Sequence, residues 1–337
     1  MDWFERLTGF REQGYDATRG RLVVDGGTLR SSVNGRSCAI GTFEMASLRA
    51  LRERLATGEG PVGRITVGNV SGDVRRMHQA PENAGALFQV ASQFNVLEMV
   101  GPSVTPEDGV TRYASDMTQG PACSIAAGAA TIYRNYFVPV GEQRGQTAER
   151  QLDGLADLGD ALATALGRSR GSLWTMRNGY ALPAEDGLAV IAGHLRGLDE
   201  DGRDRLRALL RVGLHTDVEV TDAPTAPGQR VSQAFCSALP VAYSGVQGAA
   251  WAPFATLVLE AAYEATLSAA VLGARAGRSN VVLLTRLGGG AFGNDDAWID
   301  GAMLRALERF AGFGLDVRIV SYGAPPRAMV ELARRFS

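Results

Sequence analysis

The chain has 337 residues, 45% of them hydrophobic and 21% charged, which is the balance of a globular protein with one large domain or two ordinary ones. A formal net charge of −2 leaves no electrostatic footprint for nucleic acid or an anionic membrane. All 34 basic residues are Arg, so Schiff-base chemistry and a P-loop lysine are excluded.

The first sixty residues predict a short helix, two strands (RLVV and RSCAIGTFEM) and an Arg-rich helix from Ala46 to Ala56. This stretch reads as an N-terminal extension. Gly58–Gly63 reads as a turn, and RITVGNV alternates as a strand that ends in Ser71-Gly72-Asp73-Val74. Gly85–Phe94 is the next strand and delivers Asn95 and Glu98 at its end. The following GPSVTPEDGVTRYASDMTQGP has no periodicity, and a loop of that length inside a compact domain points to function. Pro121 opens a helix of small residues that runs into the YRNY segment, where Arg134 is able to grip a phosphate and the tyrosines suit a packed helix face. About 142–212 reads as a helical insertion, broken at SLWTMRNGYALPAEDG. DVEVT and VSQAFCSALPVAY read as strands, Pro253–Gly273 as a long Ala/Leu helix, and LDVRIVSYG as a last strand ending at Tyr322 before a terminal helix.

Asn280–Gly293, NVVLLTRLGGGAFG, is the stretch around which the rest is organised: a strand buried on both faces, three consecutive glycines, and Gly293 before an Asn-Asp-Asp helix start. Glycines let backbone N–H groups approach a ligand, and a helix N-terminus adds positive potential, so the turn suits a diphosphate. The alternatives are a turn that needs glycine only for packing, or a dinucleotide fingerprint. The fingerprint lacks its acid, since Asp316 opens the next strand instead of closing it. No GK[ST] follows the glycines.

Cys38, Cys123 and Cys236 form no CxxC pair, which fits a reducing compartment, and the cytoplasm is the expected location. No apolar run of about 18 residues and no signal-peptide pattern is read from the sequence, so no membrane partner is expected. His78, His194 and His215 lack metal-ligand spacing, there is no GxSxG, and neither metal nor cofactor is expected.

Strands that alternate with helices imply a three-layer α/β/α architecture, with ligands at the carboxyl ends of the strands. The order of pieces resembles the macrodomain family, specifically its poly(ADP-ribose) glycohydrolase-like members. NVSGDV, FQVASQFNVLE, LGGGAFGN and RIVSYG stand in the order of that family's ligand-binding segments. DMTQGPACSIAAGAATIYRNYF and SQAFCSALPVAYS are similar to a MavL-like branch of ADP-ribosylhydrolases, which act on arginine of ubiquitin. The resemblance covers about Gly63 to Tyr322 and departs from the family in having no Gly-rich run after Asn95 and no GGG…QEE signature. It implies a single macrodomain-like domain over 1–337 with a mixed central sheet and the helical insertion. The implied activity is metal-independent removal of ADP-ribose from a protein side chain, arginine and ubiquitin being the branch's substrate. A reader module that binds ADP-ribose without turnover is the alternative, and an NAD-dependent dehydrogenase a third.

The implied ADP-ribose contacts are Asp73 and Val74 near adenine, Asn95 near the distal ribose, Gln119, the loop Gly288, Gly289, Gly290, Ala291, Phe292, Gly293, Asn294 and Asp295, and Tyr322. Glycosidic cleavage needs a carboxylate that orients water or stabilises the developing oxocarbenium charge. Asp116, at a helix N-terminus in the long loop, is the first candidate, Asp108 the second, and Glu98 precedes the loop. Each has a structural competitor: Asp116 as a cap or Asx-turn, Asp108 as a turn residue, Asn95 as a cap, Asp73 as a turn acid, and Asp295 as a first-turn acid.

Overall fold

Seven segments build the central sheet: β1 (Thr42–Ser47), β2 (Thr66–Ser71), β3 (Leu87–Ala91), β4 (Arg211–Glu219), β5 (Arg230–Cys236), β6 (Val281–Leu284) and β7 (Asp316–Ser321). The computed structural model describes residues 1–58, 62–223, 227–246 and 248–336. Residues 59–61 of the expected Gly58–Gly63 turn lie outside them. Strand order is β1-β4-β5-β3-β6-β7-β2. β4 is antiparallel to β1 and β5, whereas β5, β3, β6, β7 and β2 run parallel to one another. The parallel strands therefore end on one edge. All four residues of β6 are buried, as a Val/Leu run covered on both faces requires.

Helices cover both faces, as the expected three-layer fold class demands. On one side lie α1 (Val74–Gln79), α2 (Gln119–Ala126) and α3 (Gly128–Tyr136); on the other, α4 (Gly248–Arg275) packs against α5 (Asp296–Arg309) and the Leu48–Ala56 helix. α4 contains a window long and apolar enough to cross a membrane by length and composition alone. Yet 72% of that window is buried in the protein, so this is a core helix. Its Glu264 is fully buried and meets Arg52 at 2.6 Å, Arg305 at 3.0 Å and Arg309 at 3.0 Å, which ties three helices together.

Three local expectations change. RSCAIGTFEM is two strands: Ser37–Ala39 completes an N-terminal three-stranded meander, and β1 joins the main sheet. Gly41 makes the break at φ +65, where a Cβ would lie 2.0 Å from the Thr216 carbonyl. The helix read from Pro121 starts at Gln119 and divides at Ala127. The break within the insertion is a hairpin, Trp174–Arg177 with Tyr180–Pro183, turned by Asn178 and Gly179 at φ 47 and 79, the signs of a type I′ turn. The last two residues expected in the insertion, Arg211 and Val212, instead open β4.

Candidate functional site

A cleft of about 780 Å³ opens where the five parallel strands end. That volume suits a nucleotide-sized ligand, and the position is the one expected for α/β sheets. β2 delivers Gly72, Asp73 and Val74; β3 delivers Ser92, Gln93 and Glu98; β6 delivers the glycine loop; β7 delivers Tyr322. The long loop supplies Tyr113, Asp116 and Gln119, and the insertion hairpin supplies Tyr180.

The glycine loop is held from behind. The Tyr263 hydroxyl of α4 donates to the Thr285 carbonyl at 2.8 Å and accepts from Leu287 N–H at 2.9 Å. Asn294 Nδ2 donates to the Leu239 carbonyl at 2.8 Å. Gly288 has φ +79, and a Cβ there would lie 2.5 Å from the Ala238 Cβ, so only glycine fits. Among the described residues the N–H groups of Gly288, Gly290, Ala291 and Phe292 have no acceptor, and all four residues line the cleft. Unpaired amides gathered at a loop form an anion nest.

Two carboxylates, Glu98 and Asp116, line the same cleft. Glu98 is almost wholly buried, and its Oε1 is 3.5 Å from the Ser124 hydroxyl. Burial pushes its carboxyl up to about 8; the Arg134 charge and the Ser124 hydrogen bond oppose the rise, and the Asp116 charge adds to it. Asp116 is half-buried, with Oδ1 accepting from Thr118 N–H at 2.8 Å. The Tyr113 hydroxyl accepts from Glu98 N–H at 3.0 Å and fixes the backbone under the acid. Above the glycine loop, Tyr180, Tyr243 and Phe292 form an aromatic wall with centroids 5.1 to 5.8 Å apart.

Of the expected residues, the cleft gathers Asp73, Val74, Glu98, Asp116, Gln119, Gly288, Gly290, Ala291, Phe292 and Tyr322. Asp108, Asn95, Gly289, Gly293, Asn294 and Asp295 are not among its lining. Asp108 closes a capping box on Thr105, with Oδ2 accepting from Thr105 N–H at 2.9 Å, so the turn reading holds. Asn95 is fully buried: Oδ1 accepts from Leu97 N–H at 3.1 Å and Nδ2 donates to Gln151 Oε1 at 2.8 Å. Gln151 passes the chain to Asn178, so Asn95 fastens the β3 loop to the insertion. Asp295 caps α5, accepting from Ala297 N–H at 2.8 Å. Asn294 supports the loop, and Gly289 sits against Ile299.

Some lining residues bear a second job. Gln119 Oε1 accepts from Ala91 N–H at 2.9 Å and Nε2 donates to the Gln89 carbonyl at 2.8 Å, clamping the edge of β3. Asp73 caps α1, with Oδ1 accepting from Arg75 N–H at 2.9 Å, while still lining the cleft. Arg134 grips no surface phosphate, being wholly buried. The sequence reading missed Ser92, Gln93, Tyr113, Tyr180 and Tyr243. Tyr113 falls in the loop already singled out, but Tyr180 and Tyr243 carry no local signal, since only the folded insertion and the β5 end bring them here.

No family model matches the chain, and no curated protein does. Solved structures do. The poly(ADP-ribose) glycohydrolase from Thermomonospora curvata is 16% identical over 92% of this chain and 94% of that one, at a TM-score of 0.46. The same protein bound to the inhibitor ADP-HPD gives 16% identity, the same coverage and 0.44. The poly(ADP-ribose) glycohydrolase from Deinococcus radiodurans in complex with ADP-ribose is 14% identical over 87% of this chain and 92% of that one, at 0.45.

Proposed function

We propose that the protein is an ADP-ribosylhydrolase that splits the glycosidic bond between ADP-ribose and a protein side chain. One observation carries this: a single cleft is lined both by four glycine-loop residues whose amides have no acceptor among the described residues and by the buried Glu98 and the more open Asp116. The amides suit the diphosphate, and the carboxylates suit the two roles that glycoside hydrolysis needs. Asp73 and the exposed Tyr322 line the same cleft, and the resemblance puts adenine beside Asp73. Arginine as the attached residue, and ubiquitin as the protein that carries it, rest on the sequence resemblance of the two longer blocks to the MavL-like branch.

In this reading Glu98 is the proton donor. With its carboxyl raised to about 8, it keeps its proton at neutral pH and passes it to the departing nitrogen or oxygen of the side chain. Asp116, held by Thr118 N–H, faces the anomeric carbon, stabilises its positive charge and orients the attacking water. Tyr180 and Phe292 exclude bulk water beside the reacting bond.

The test pairs turnover with binding. E98Q and D116N should each lower single-turnover hydrolysis of ADP-ribosylated arginine peptide by on the order of 10²- to 10⁴-fold. Calorimetry should give micromolar ADP-ribose affinity, about −8 kcal/mol, in the parent and both variants. The parent rate should fall as pH rises through about 8, because the donor must be protonated. Binding with no turnover by the parent on any linkage would leave a reader; no binding would remove both readings.

A further inference from the structure

Arg134 has an unusual place. Its side chain is wholly buried on α3, beneath the floor of the cleft, and among the described residues no carboxylate stands within ion-pair distance of it. Its donors go to neutral acceptors: Nε to the Val96 carbonyl at 3.2 Å, Nη2 to Ser124 Oγ at 3.1 Å and Thr131 Oγ1 at 3.0 Å, and Nη1 to His215 Nδ1 at 3.2 Å. The guanidinium lies 3.8 Å from the centre of the Phe235 ring. A buried cation without a counter-ion is costly, and an apolar side chain of similar length would fill the same space more cheaply. Stability alone does not account for it.

What the cation faces, one hydroxyl away, is Glu98. Ser124 Oγ accepts from Arg134 Nη2 and lies 3.5 Å from Glu98 Oε1. The carboxyl is also shaped for from the other side. A Cβ at Gly120 would lie 2.2 Å from Glu98 Oε2 and 2.0 Å from the Ala91 carbonyl, so the absent side chain of Gly120 is the space that the carboxyl occupies. We propose that Arg134 is a positioning residue for Glu98, acting from inside the core through the Ser124 hydroxyl, with Gly120 leaving the seat open.

The electrostatics agree with that geometry. The charged and titratable groups around Glu98 are Asp116 from the loop before α2, Tyr113 from the same loop, Cys123 and Ser124 from α2, Arg134 from α3 and Tyr180 from the hairpin; His215 from β4 lies behind Arg134. Burial holds Cys123, Tyr113 and Tyr180 protonated. Burial and the Arg134 charge hold His215 neutral, so it takes the guanidinium N–H as an acceptor and adds no second cation. Two formal charges are left, pulling in opposite directions: Arg134 favours the Glu98 carboxylate and Asp116 favours the acid. Arg134 therefore keeps the donor from being trapped in its protonated form, so that Glu98 is able to release a proton within the working range and recover it after turnover.

This inference rests on reading Glu98 as the proton donor, and the experiment separates the two. The Glu98 carboxyl is titrated in the free protein by ¹³C-glutamate NMR, with E98Q to assign its signal, in the parent, S124A, R134M and R134K. Loss of the relay in S124A or of the charge in R134M should move the titration upward by about one pH unit, tenfold in ionisation constant, and R134K should return it toward the parent value. The alkaline limb of the pH–rate profile should move by the same amount while ADP-ribose affinity stays within twofold. S124A deletes only a hydroxyl, so it carries the test if R134M fails to fold. An unchanged Glu98 titration in S124A, or in a folded R134M, would overturn the inference. A shifted titration in a protein that hydrolyses nothing would uphold it while removing the reading of the cleft as a hydrolase.

Discussion

At Gly120 and Glu98 the residue scale shows how one side chain's absence makes room for another's chemistry. The carboxyl of Glu98 fills the volume that any residue at 120 would claim for its Cβ. G120A should therefore cost about 1–3 kcal/mol of stability, as overpacking does, and should lower turnover at least tenfold by displacing the acid. Denaturant titration and single-turnover assays check this; parent-level turnover in G120A would mean that Glu98 is not the reacting acid. Glu98 and Asp116 were legible as candidates because an acid beside a long aperiodic loop is conspicuous. Their ranking was not legible, since it depends on burial. The choice between the two roles of Asn95 was hidden for the same kind of reason: its partner Gln151 comes from the insertion, 56 residues further along the chain.

At the scale of the element, the strand–glycine–helix unit of β6 and α5 was readable directly, because a doubly buried Val/Leu run followed by a glycine triplet has few alternatives. What could not be read is which glycines serve the fold and which serve the cleft. Gly288 has a positive φ and no room for a methyl group, whereas nothing lies within 4 Å of a Cβ at Gly290. G288A should then destabilise the protein by about 1–3 kcal/mol. G290A should leave the melting temperature near that of the parent and weaken ADP-ribose binding about tenfold, because its methyl enters the cleft. Thermal melting and calorimetry on both variants separate the two roles, and unchanged affinity in G290A would remove the loop from the ligand site. The meander strand at Ser37–Ala39 was hidden because the chain breaks at Gly41 under pressure from the Thr216 backbone, a neighbour 175 residues on in sequence and so invisible to any local pattern.

For the whole molecule, pH dependence sums over buried groups on both sides of the sheet. His78 is fully buried, stacked at 3.7 Å on Phe88, and burial lowers it to about 4; His215 is lowered as well. Unfolded histidines take up a proton near 6.5, so the stability these two contribute is present above that value and lost as pH falls toward about 4. Glu98 works in the other direction. Its folded value of about 8 exceeds its unfolded one of 4.5, so its contribution is present at low pH and lost as pH rises through about 8. Denaturant unfolding at a series of pH values should give a maximum between the two limbs, each limb worth on the order of a few kcal/mol. E98Q should flatten the alkaline limb alone; an alkaline limb that persists in E98Q would place its origin elsewhere.

The alternation of strands and helices, the rim on which the cleft loops meet, the glycine loop and the pool of acids were readable from the chain alone. All of these follow from hydrophobic period, turn chemistry and side-chain type, which are local properties. Which acid is buried, which asparagine is a fastener, and that Arg134 lies beneath the cleft instead of on its surface came from the packed fold. Those outcomes depend on desolvation and on partners brought from distant parts of the chain, and neither is written in any short stretch of residues.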